Sequence, residues 1–456
     1  MADPSPDFSG WSPASGPLST GGLVAAPTFS PWNLHDLPYA LLHRSPFAST
    51  TVRDAVAIFG IFWWCVMVMF CVSGLWVTKW RYHPPRVEPS SLEWPKRRPE
   101  DVPGVSIIRP LKGIDPDLDR NLRSSFEQDY PRLEIIFTAE DGDDPAIPVA
   151  RALIAEYAPR IAGRVVVSTQ RVGFNPKINN IIDGFESCQY EILWMCDSNV
   201  YSDSGCLSRS VDQLERTSRP VGIVHHLIYA AQPVGFGAWL ETMFINTVHA
   251  KMYLAINASG AASCVVGKSN VYYKRHLDAL GGLKPFSSYM AEDNTIAQAF
   301  WKRGWKHRMT SDLATQSLGR MTLADYFTRR MRWTRTRKYN VTFATVVEPV
   351  TESLMCGLLA AFSFHHFYGV PPLPFFGAHL LAWFVCDLQI FRCLAQGQLP
   401  CSFAYWAWVW VCRELFALPL YIYAVVGNRV SWRGRQFKLS LQGTITPVDG
   451  KVDIET

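Results

Sequence analysis

Charge is scarce in this 456-residue chain: Asp, Glu, Lys and Arg make up 18% of it, against roughly a quarter of an average soluble domain. The 44 basic and 39 acidic residues leave a net charge of +5, which is too small to indicate nucleic acid as a partner. Tryptophan is abundant, with 17 residues, and indole rings favour the headgroup layer of a membrane. The composition therefore favours a membrane-seated protein.

Several sequence signatures are missing. The 11 cysteines include no Cys-x-x-Cys pair and no Cys/His spacing typical of zinc, which favours free thiols facing a reducing cytosol. Neither GxGxxG nor GxxxxGK[ST] follows the first predicted strand, so neither a dinucleotide fold nor a P-loop is supported. Residues 1–50 lack the basic start and apolar run of a signal peptide. Because this segment has eight prolines and only four charged residues, we predict that it is disordered.

Long apolar runs lie on both sides of a polar middle region. The 24 residues between Asp54 and Lys79 contain no Asp, Glu, Lys or Arg, which predicts a transmembrane helix at 54–78. More Lys and Arg follow this helix than precede it, so the N-terminus is expected outside or in a lumen and the next domain in the cytosol.

A second apolar region, 346–428, predicts about three membrane segments, spanning or re-entrant, near 353–370, 374–394 and 404–427. The charged residues inside it are expected either to pair between helices or to act near lipid headgroups; they are Asp387, Arg392, Arg413 and Glu414. The basic residues of the tail, 429–456, leave open on which side of the membrane the tail lies.

Residues 100–322 have the pattern of an α/β domain. Runs typical of β-strands alternate with helical patterns, at 105–110, 133–140, 164–168 and 191–197. This alternation predicts a parallel sheet with helices on both faces, which binds ligands at the carboxyl ends of its strands.

Acidic residues follow two of these strands. The run Glu140 to Asp144 comes after the second strand, and Asp197 follows the fourth. A carboxylate at such a strand end can hold one coordination site of Mg²⁺ or Mn²⁺ beside a substrate phosphate. For the run 140–144 a solvated turn is the alternative interpretation.

A strongly basic stretch, 323–345, predicts an interfacial helix. It contains Arg329, Arg332 and Trp333 in the pattern Arg-x-x-Arg-Trp. Such a helix can lie on anionic lipid, and its guanidinium groups can also bind a diphosphate. Both roles are compatible.

Four elements occur in a fixed order before the apolar C-terminal region: Asp144, Asp197, Asp293 and the Arg329–Trp333 motif. In this order they resemble the membrane-bound glycosyltransferases of the GT-A fold, of the family 2 and 21 type. The resemblance covers about residues 50–440 and is closest to the branch that glucosylates ceramide. Further stretches that carry it are RPLKGIDP (109–116), EDGDDPAI (140–147), NPKINN (175–180), Val224-His225, expected after a strand, CVVG (264–267) and AED (291–293).

The resemblance implies a Rossmann-like GT-A domain with one N-terminal and about three C-terminal transmembrane or re-entrant helices. It implies inverting transfer of glucose from UDP-glucose to the primary hydroxyl of ceramide in the Golgi or ER membrane, on the cytosolic face. Asp293 is then the general base, Asp197 belongs to the metal and diphosphate, and Arg329, Arg332 and Trp333 hold the diphosphate and the acceptor-side loop. The remaining expected substrate-binding residues are Pro110, Lys112, Glu140, Asp144, Lys177, Asn180, His225, Cys264 and Glu292.

One departure from the family concerns the metal. Many relatives carry Asp-x-Asp after the fourth strand, but Asn199 stands in the third position here. The expected cofactor, Mg²⁺ or Mn²⁺, is therefore held more weakly or with the help of another acid such as Asp143. The oligomeric state is not indicated.

Two alternatives to ceramide glucosylation remain open at this point. The first is transfer to polyprenyl phosphate or to a polysaccharide chain, although polysaccharide synthases generally have more spans. The second is a membrane receptor or transporter subunit that only binds a nucleotide sugar, which a base at Asp293 argues against.

Overall fold

The structure is a computed structural model that describes residues 51–83, 98–215, 220–432 and 434–448. The predicted disordered segment 1–50 lies outside the described residues, as does the end of the tail. The first helix, α1 (Val52–Tyr82), contains the predicted span 54–78.

An eight-stranded sheet forms the centre of the α/β domain, in the order β3-β2-β1-β4-β7-β6-β8-β5. Its strands are β1 (Val105–Pro110), β2 (Leu133–Ala139), β3 (Ala162–Val167), β4 (Ile192–Cys196), β5 (Val200–Tyr201), β6 (Val221–Val234), β7 (Ser269–Tyr273) and β8 (Lys306–Arg320). Strands β3, β2, β1 and β4 are parallel, as predicted. The expectation of a wholly parallel sheet is wrong, because β7 runs antiparallel to both β4 and β6.

Helices cover both faces of the sheet. They are α2 (Leu118–Phe126), α3 (Ala146–Tyr157), α4 (Pro176–Glu186), α5 (Cys206–Glu215), α6 (Phe236–Phe244), α7 (Ala250–Ser259), α8 (Lys274–Asp278) and α9 (Glu292–Lys302). Successive residues of β1 enter different cores: Ile107 packs with one face and Ile108 with the other. Burial on both faces explains why the parallel strands read as continuous apolar runs.

The C-terminal half adds α10 (Leu323–Asn340), α11 (Thr342–Val347), α12 (Ser353–Tyr368), α13 (Pro372–Leu394) and α14 (Phe403–Val426). Thr322 and Asp325 form a capping box that begins α10. By length and hydropathy α1, α13 and α14 are each able to cross a membrane, and α12 forms a broken pair, bent by 73°, with the segment 342–351. The predicted apolar segments therefore correspond closely to α12, α13 and α14.

Helices α12 and α13 form a hairpin against α1. His366, near the end of α12, lies 2.7 Å from Asp54 at the start of α1. The Trp64 indole of α1 contacts His379 Nδ1 of α13 at 3.1 Å, and farther along Cys386 contacts the Cys71 carbonyl. Thus α12 runs antiparallel to α1 and α13 runs parallel to it.

Both ends of α14 lie beside the α/β domain. Near its start Trp406 packs on Phe391 of α13, whose last turns share a cluster with Leu227 of β6. Near its end the Val425 carbonyl accepts a hydrogen bond of 2.8 Å from Lys338 at the end of α10. Helix α14 therefore runs alongside the α/β domain, with its first and its last turn both next to it.

The helices and the α/β domain are joined by a turn of π-helix, Ile245–His249, and by α7. Gly74 of α1 touches α7 so closely that a Cβ there would come within 2.6 Å of the Lys251 carbonyl oxygen. Lys251 Nζ lies 2.8 Å from Asp387 of α13, and Trp410 of α14 donates to the same carboxylate at 2.9 Å. The charge of Asp387 is thus paired, as one of the two interpretations expects.

A three-stranded sheet follows α14: β9 (Arg429–Trp432), β10 (Arg435–Leu439) and β11 (Ile445–Pro447). Phe437 packs against Met290, and the Ile445 amide donates to the Ser288 carbonyl at 2.8 Å. Arg435 lies 3.8 Å from Glu140. This part of the tail therefore packs on the α/β domain, next to the loop before Asp293.

Candidate active site

Asp197 is held between two lysines at the carboxyl end of β4. Its Oδ1 lies 3.1 Å from Lys177 Nζ, and its Oδ2 lies 2.8 Å from Lys268 Nζ. Burial would raise the pKa of Asp197, but the two ammonium groups outweigh it and hold the pKa well below its usual range. Asp197 is therefore a carboxylate at physiological pH.

Lys177 is placed by the start of α4. The Asn175 side chain caps this helix and accepts from the Lys177 and Ile178 amides. From there Lys177 Nζ reaches Asp197 and Glu292 Oε1, the latter at 3.2 Å. Burial disfavours its charge, but the carboxylates of Asp197, Glu292 and Asp293 outweigh this and raise the pKa of Lys177.

Lys268 is brought to the site by the antiparallel pairing of β4 with β7. Cys196 pairs with Ser269, and the Asp197 amide donates to the Lys268 carbonyl at 3.0 Å. Lys268 Nζ also donates to Asn199 Oδ1 at 3.1 Å. Burial lowers the pKa of Lys268 against the pull of Asp197, and the charge of Arg329 lowers it further.

Asp293 stands in the first turn of α9, beside Glu292. Asn175 Nδ2 donates to Glu292 at 2.9 Å and so fixes the turn that presents both acids. Burial, and then the negative charge of Glu292, raise the pKa of Asp293 to about 6, although Lys177 opposes this. A carboxylate with a pKa near the working pH is suited to general-base chemistry.

Asp144 and Asn180 fasten the loop that follows β1. Both oxygens of Asp144 accept from the Gly113 amide, at 2.9 and 3.0 Å, and one also accepts from Ala146. Asn180 donates to the Leu111 carbonyl at 2.9 Å. These two buried side chains shape the expected nucleotide site through backbone contacts.

Three other candidates lie near this loop. Pro110 is buried at the end of β1, whereas Lys112 is exposed. Glu140 is half-buried between Arg171, 4.0 Å away, and Arg435 of the tail sheet.

The Arg-x-x-Arg-Trp motif lies on α10. Arg329 Nε donates to the fully buried Glu241 of α6 at 2.6 Å, and its guanidinium stacks 5.4 Å from the Trp333 ring centre. Arg332 is half-buried on the same helix. Arg329 Nη2 also donates to Gln316 at 3.4 Å, and Gln316 pairs with Val200, whose amide donates to the Asp197 carbonyl, so the motif lies near the Asp197 group.

His225 and Cys264 lie in an adjacent cluster. His225 belongs to the interior of β6 and does not follow a strand, which corrects the prediction. Its Nδ1 contacts the Tyr253 hydroxyl at 2.5 Å, and burial holds the pKa of His225 well below its ordinary value. Burial raises the pKa of Cys264 to about 12, so it is a neutral thiol. Tyr253 stacks on His249, which contacts Trp333, so this cluster borders the motif.

Sequence reasoning missed Lys268 and Glu241, and it gave no role to Asn175, the first residue of the stretch NPKINN. Lys268 immediately follows the CVVG stretch, but its proximity to Asp197 depends on the antiparallel β7. Glu241 meets Arg329 across 88 positions of sequence, a separation at which local patterns carry no signal.

The donor set around Asp197 does not fit a divalent cation. Each oxygen of its carboxylate is already held by an ammonium group, and the amide oxygen of Asn199 faces Lys268. A dication placed there would meet two like charges. Within the described ranges, one group of three ligand atoms has the spacing of a metal site, Cys206, His226 and Asp312, but Arg209 already holds Asp312.

The chain matches the family model of Glycosyl transferase family 21 over residues 66–445. It therefore belongs to glycosyltransferase family 21, and its mixed, helix-covered sheet resembles the expected GT-A type. A ceramide glucosyltransferase of Komagataella phaffii is 34% identical, over 87% of this chain and 92% of the relative. Ceramide glucosyltransferase 3 of Caenorhabditis elegans is 30% identical, over 89% and 85%. The structure of mannosyltransferase PcManGT from Pyrobaculum calidifontis, in complex with GDP-Man and Mn²⁺, aligns with a TM-score of 0.45 and 18% identity, over 82% of this chain and 99% of that chain.

Proposed function

We propose that the chain transfers glucose from UDP-glucose to the primary hydroxyl of ceramide, with inversion at the anomeric carbon. The observation that carries the proposal is Asp293, a half-buried carboxylate with a raised pKa of about 6 beside a group of cations. An acceptor hydroxyl needs such a base, and a departing diphosphate needs the cations. Ceramide is the acceptor named in the relatives of fungi and worm.

The reaction is a single displacement at the anomeric carbon. Asp293 takes the proton from the acceptor hydroxyl, whose oxygen forms the new bond as the bond to UDP breaks. The negative charge that develops on the diphosphate is met by Lys177, Lys268 and Arg329. Since one attack from the side opposite the leaving group completes the transfer, the anomeric configuration inverts.

The membrane helices supply a lipid acceptor to this site. We place α1, α12 and α13 across the bilayer, with both ends of α14 on the cytosolic side, and therefore α14 in the plane of the interface. The side chains that α14 exposes include Trp408, Val411, Leu415 and Ile422, whereas Arg413 is buried and pairs with Glu352 at 2.9 Å. The exposed apolar side chains suit contact with lipid, and the buried charge of Arg413 is paired inside the protein.

This topology is tested by mapping which segments reach the lumen. When the chain is expressed in eukaryotic cells, a glycosylation acceptor sequence inserted in the turn between α12 and α13, at residues 369–371, should be glycosylated in the lumen of the ER or Golgi. The same sequence inserted after Leu441, in the tail sheet, should remain unmodified. Modification at the tail site would contradict the placement of α14. Fluorescence imaging of the full chain tests Golgi or ER residence.

The activity is tested with the purified full-length protein in lipid nanodiscs. UDP-glucose is supplied with a panel of acceptors: ceramide, polyprenyl phosphate, a β-glucan oligosaccharide and no acceptor. Mass spectrometry should detect one hexose per ceramide, and NMR a β-linked glucose. A glucosylated polyprenyl phosphate or a polymer would favour the alternative acceptors, and UDP-glucose binding without any product would favour a binding protein.

A further inference from the structure

Two lysines occupy the place where a divalent cation is expected. Lys268 Nζ lies 2.8 Å from Asp197 Oδ2 and 3.1 Å from Asn199 Oδ1, and Lys177 Nζ lies 3.1 Å from Asp197 Oδ1. The three side chains are largely shielded from solvent: the exposed fractions are 13% for Lys268, 17% for Lys177 and 23% for Asp197. Desolvated charges of this kind interact more strongly than charges in water.

The position of Lys268 is set by the backbone. Antiparallel pairing of β4 and β7 continues past Cys196 and Ser269, and the Asp197 amide donates to the Lys268 carbonyl at 3.0 Å. Cross-strand neighbours have their Cβ atoms about 5 Å apart, so the strand register itself places the side chain of residue 268 next to that of Asp197. The contact is therefore a product of strand register and not of a freely rotating surface lysine.

The pairing of charges at the site also points to Lys268. Glu292 shares Lys177 with Asp197, at 3.2 Å, and Arg329 is neutralised by the buried Glu241. Lys268 is the lysine that faces Asp197 and the Asn199 amide from the side of β7, while the charge of Arg329 acts on it. Lys268 therefore has a neutral partner, Asn199, on one side, and its ammonium group is the cation that we assign to the diphosphate.

We infer that Lys268 binds the diphosphate of the sugar nucleotide and takes the place of the divalent cation, so that donor binding and transfer need no metal. The inference rests on the proposed glycosyl transfer. An ammonium group donates up to three hydrogen bonds, enough to keep Asp197 and Asn199 as orienting partners while contacting a phosphate oxygen. Asp197 then acts as a positioning residue that aims Lys268.

The test measures UDP binding by calorimetry to the purified full-length protein, with excess EDTA or with Mg²⁺. We expect the two dissociation constants to agree within about threefold, because the cation is part of the chain. Lys268→Met should weaken UDP binding in EDTA by about 10–100-fold, the usual range for a lost charge-assisted contact. Lys268→Arg should keep most of the affinity. Lys274→Met, at a half-buried lysine paired with the exposed Asp278, is the matched control and should bind like the wild type.

Glucosylceramide formation is measured under the same conditions. Product in EDTA, with a loss in Lys268→Met and not in Lys274→Met, supports the inference. UDP binding and product formation that both require Mg²⁺, or an unchanged UDP affinity in a folded Lys268→Met protein, would overturn it while leaving the glucosyl transfer intact. Absence of product from ceramide with and without metal would instead overturn the proposed function.

Discussion

Gly267 lies directly against the carboxylate of Asp293: a Cβ at Gly267 would come within 2.4 Å of Asp293 Oδ2. No side chain can share that space without moving the base. Only the hydrogen of a glycine at position 267 leaves room for the Asp293 carboxylate where α9 places it.

Gly267→Ala is therefore expected to displace Asp293 and to lower kcat by about 10²-fold, the effect of a shift of about 1 Å in a reacting group. The fold should survive, with an unchanged thermal unfolding temperature. Gly377→Ala is the matched control, because a Cβ there meets no atom within 4 Å. Equal kcat values for the two variants would show that the close approach of Gly267 to Asp293 does not matter for activity.

Asp293→Asn removes the base and leaves the size of the side chain almost unchanged. We expect a loss of about 10²–10⁴-fold in kcat, with UDP affinity retained because the cations remain. Asp278→Asn, at an exposed acid paired with Lys274, should keep full activity. Full activity in Asp293→Asn would exclude its role as the base.

The rate should depend on the protonation of Asp293. Because its pKa is raised to about 6, kcat/KM should fall tenfold for each pH unit below about 6 and level off above it. A pH profile of glucosylceramide formation from about pH 4.5 to 8 measures this, with UDP binding followed in parallel as the control. A flat profile through pH 6 would place the titrating base elsewhere.

The buried pair of Lys251 and Asp387 joins α7 to α13, and both side chains are almost fully inaccessible. Lys251→Met leaves the charge of Asp387 without a counter-ion, so we expect a destabilisation of about 3–5 kcal/mol, measured as a lower unfolding temperature in detergent. Lys274→Met, which breaks a pair with the exposed Asp278, should cost about 0–1 kcal/mol. Similar unfolding temperatures for the two variants would show that the buried pair does not hold the helices to the domain.

Phe437 of the tail sheet packs on Met290, three residues before Asp293. Phe437→Ala should destabilise the sheet by about 3–5 kcal/mol and loosen this loop, seen as faster hydrogen exchange at residues 286–293 and a lower kcat. Leu441→Ala, at a side chain that is 89% exposed, is the control and should change neither. Unchanged exchange in Phe437→Ala would mean that the loop is stable without its cover.

The parallel half of the fold was predictable because local pattern determines it. The apolar run at 105–110 coincides with β1, and the acids at the strand ends follow from the same periodicity. The antiparallel β7 could not be predicted, because its direction depends on a helical excursion of the chain through α6 and α7. The contact between Lys268 and Asp197 is a consequence of that direction, so the sequence did not predict Lys268 as a second cation next to Lys177.

The C-terminal helices show a similar limit. Hydropathy located α14 to within about two residues, but it does not indicate where the two ends of the helix lie. The proposed placement of α14 along the membrane surface rests on partners distant in sequence, such as Lys338 and Val425. The pairing of Arg413 with Glu352 likewise appears only in three dimensions.

The contact between the tail sheet and the loop at 288–290 has a consequence for biosynthesis. Strands β10 and β11 follow α14 in the chain, so they are synthesised after the apolar helices α1, α12, α13 and α14. The loop before Asp293 can receive its cover only then. A chain truncated before β10 would lack that cover, and we expect it to transfer glucose more slowly than the full chain.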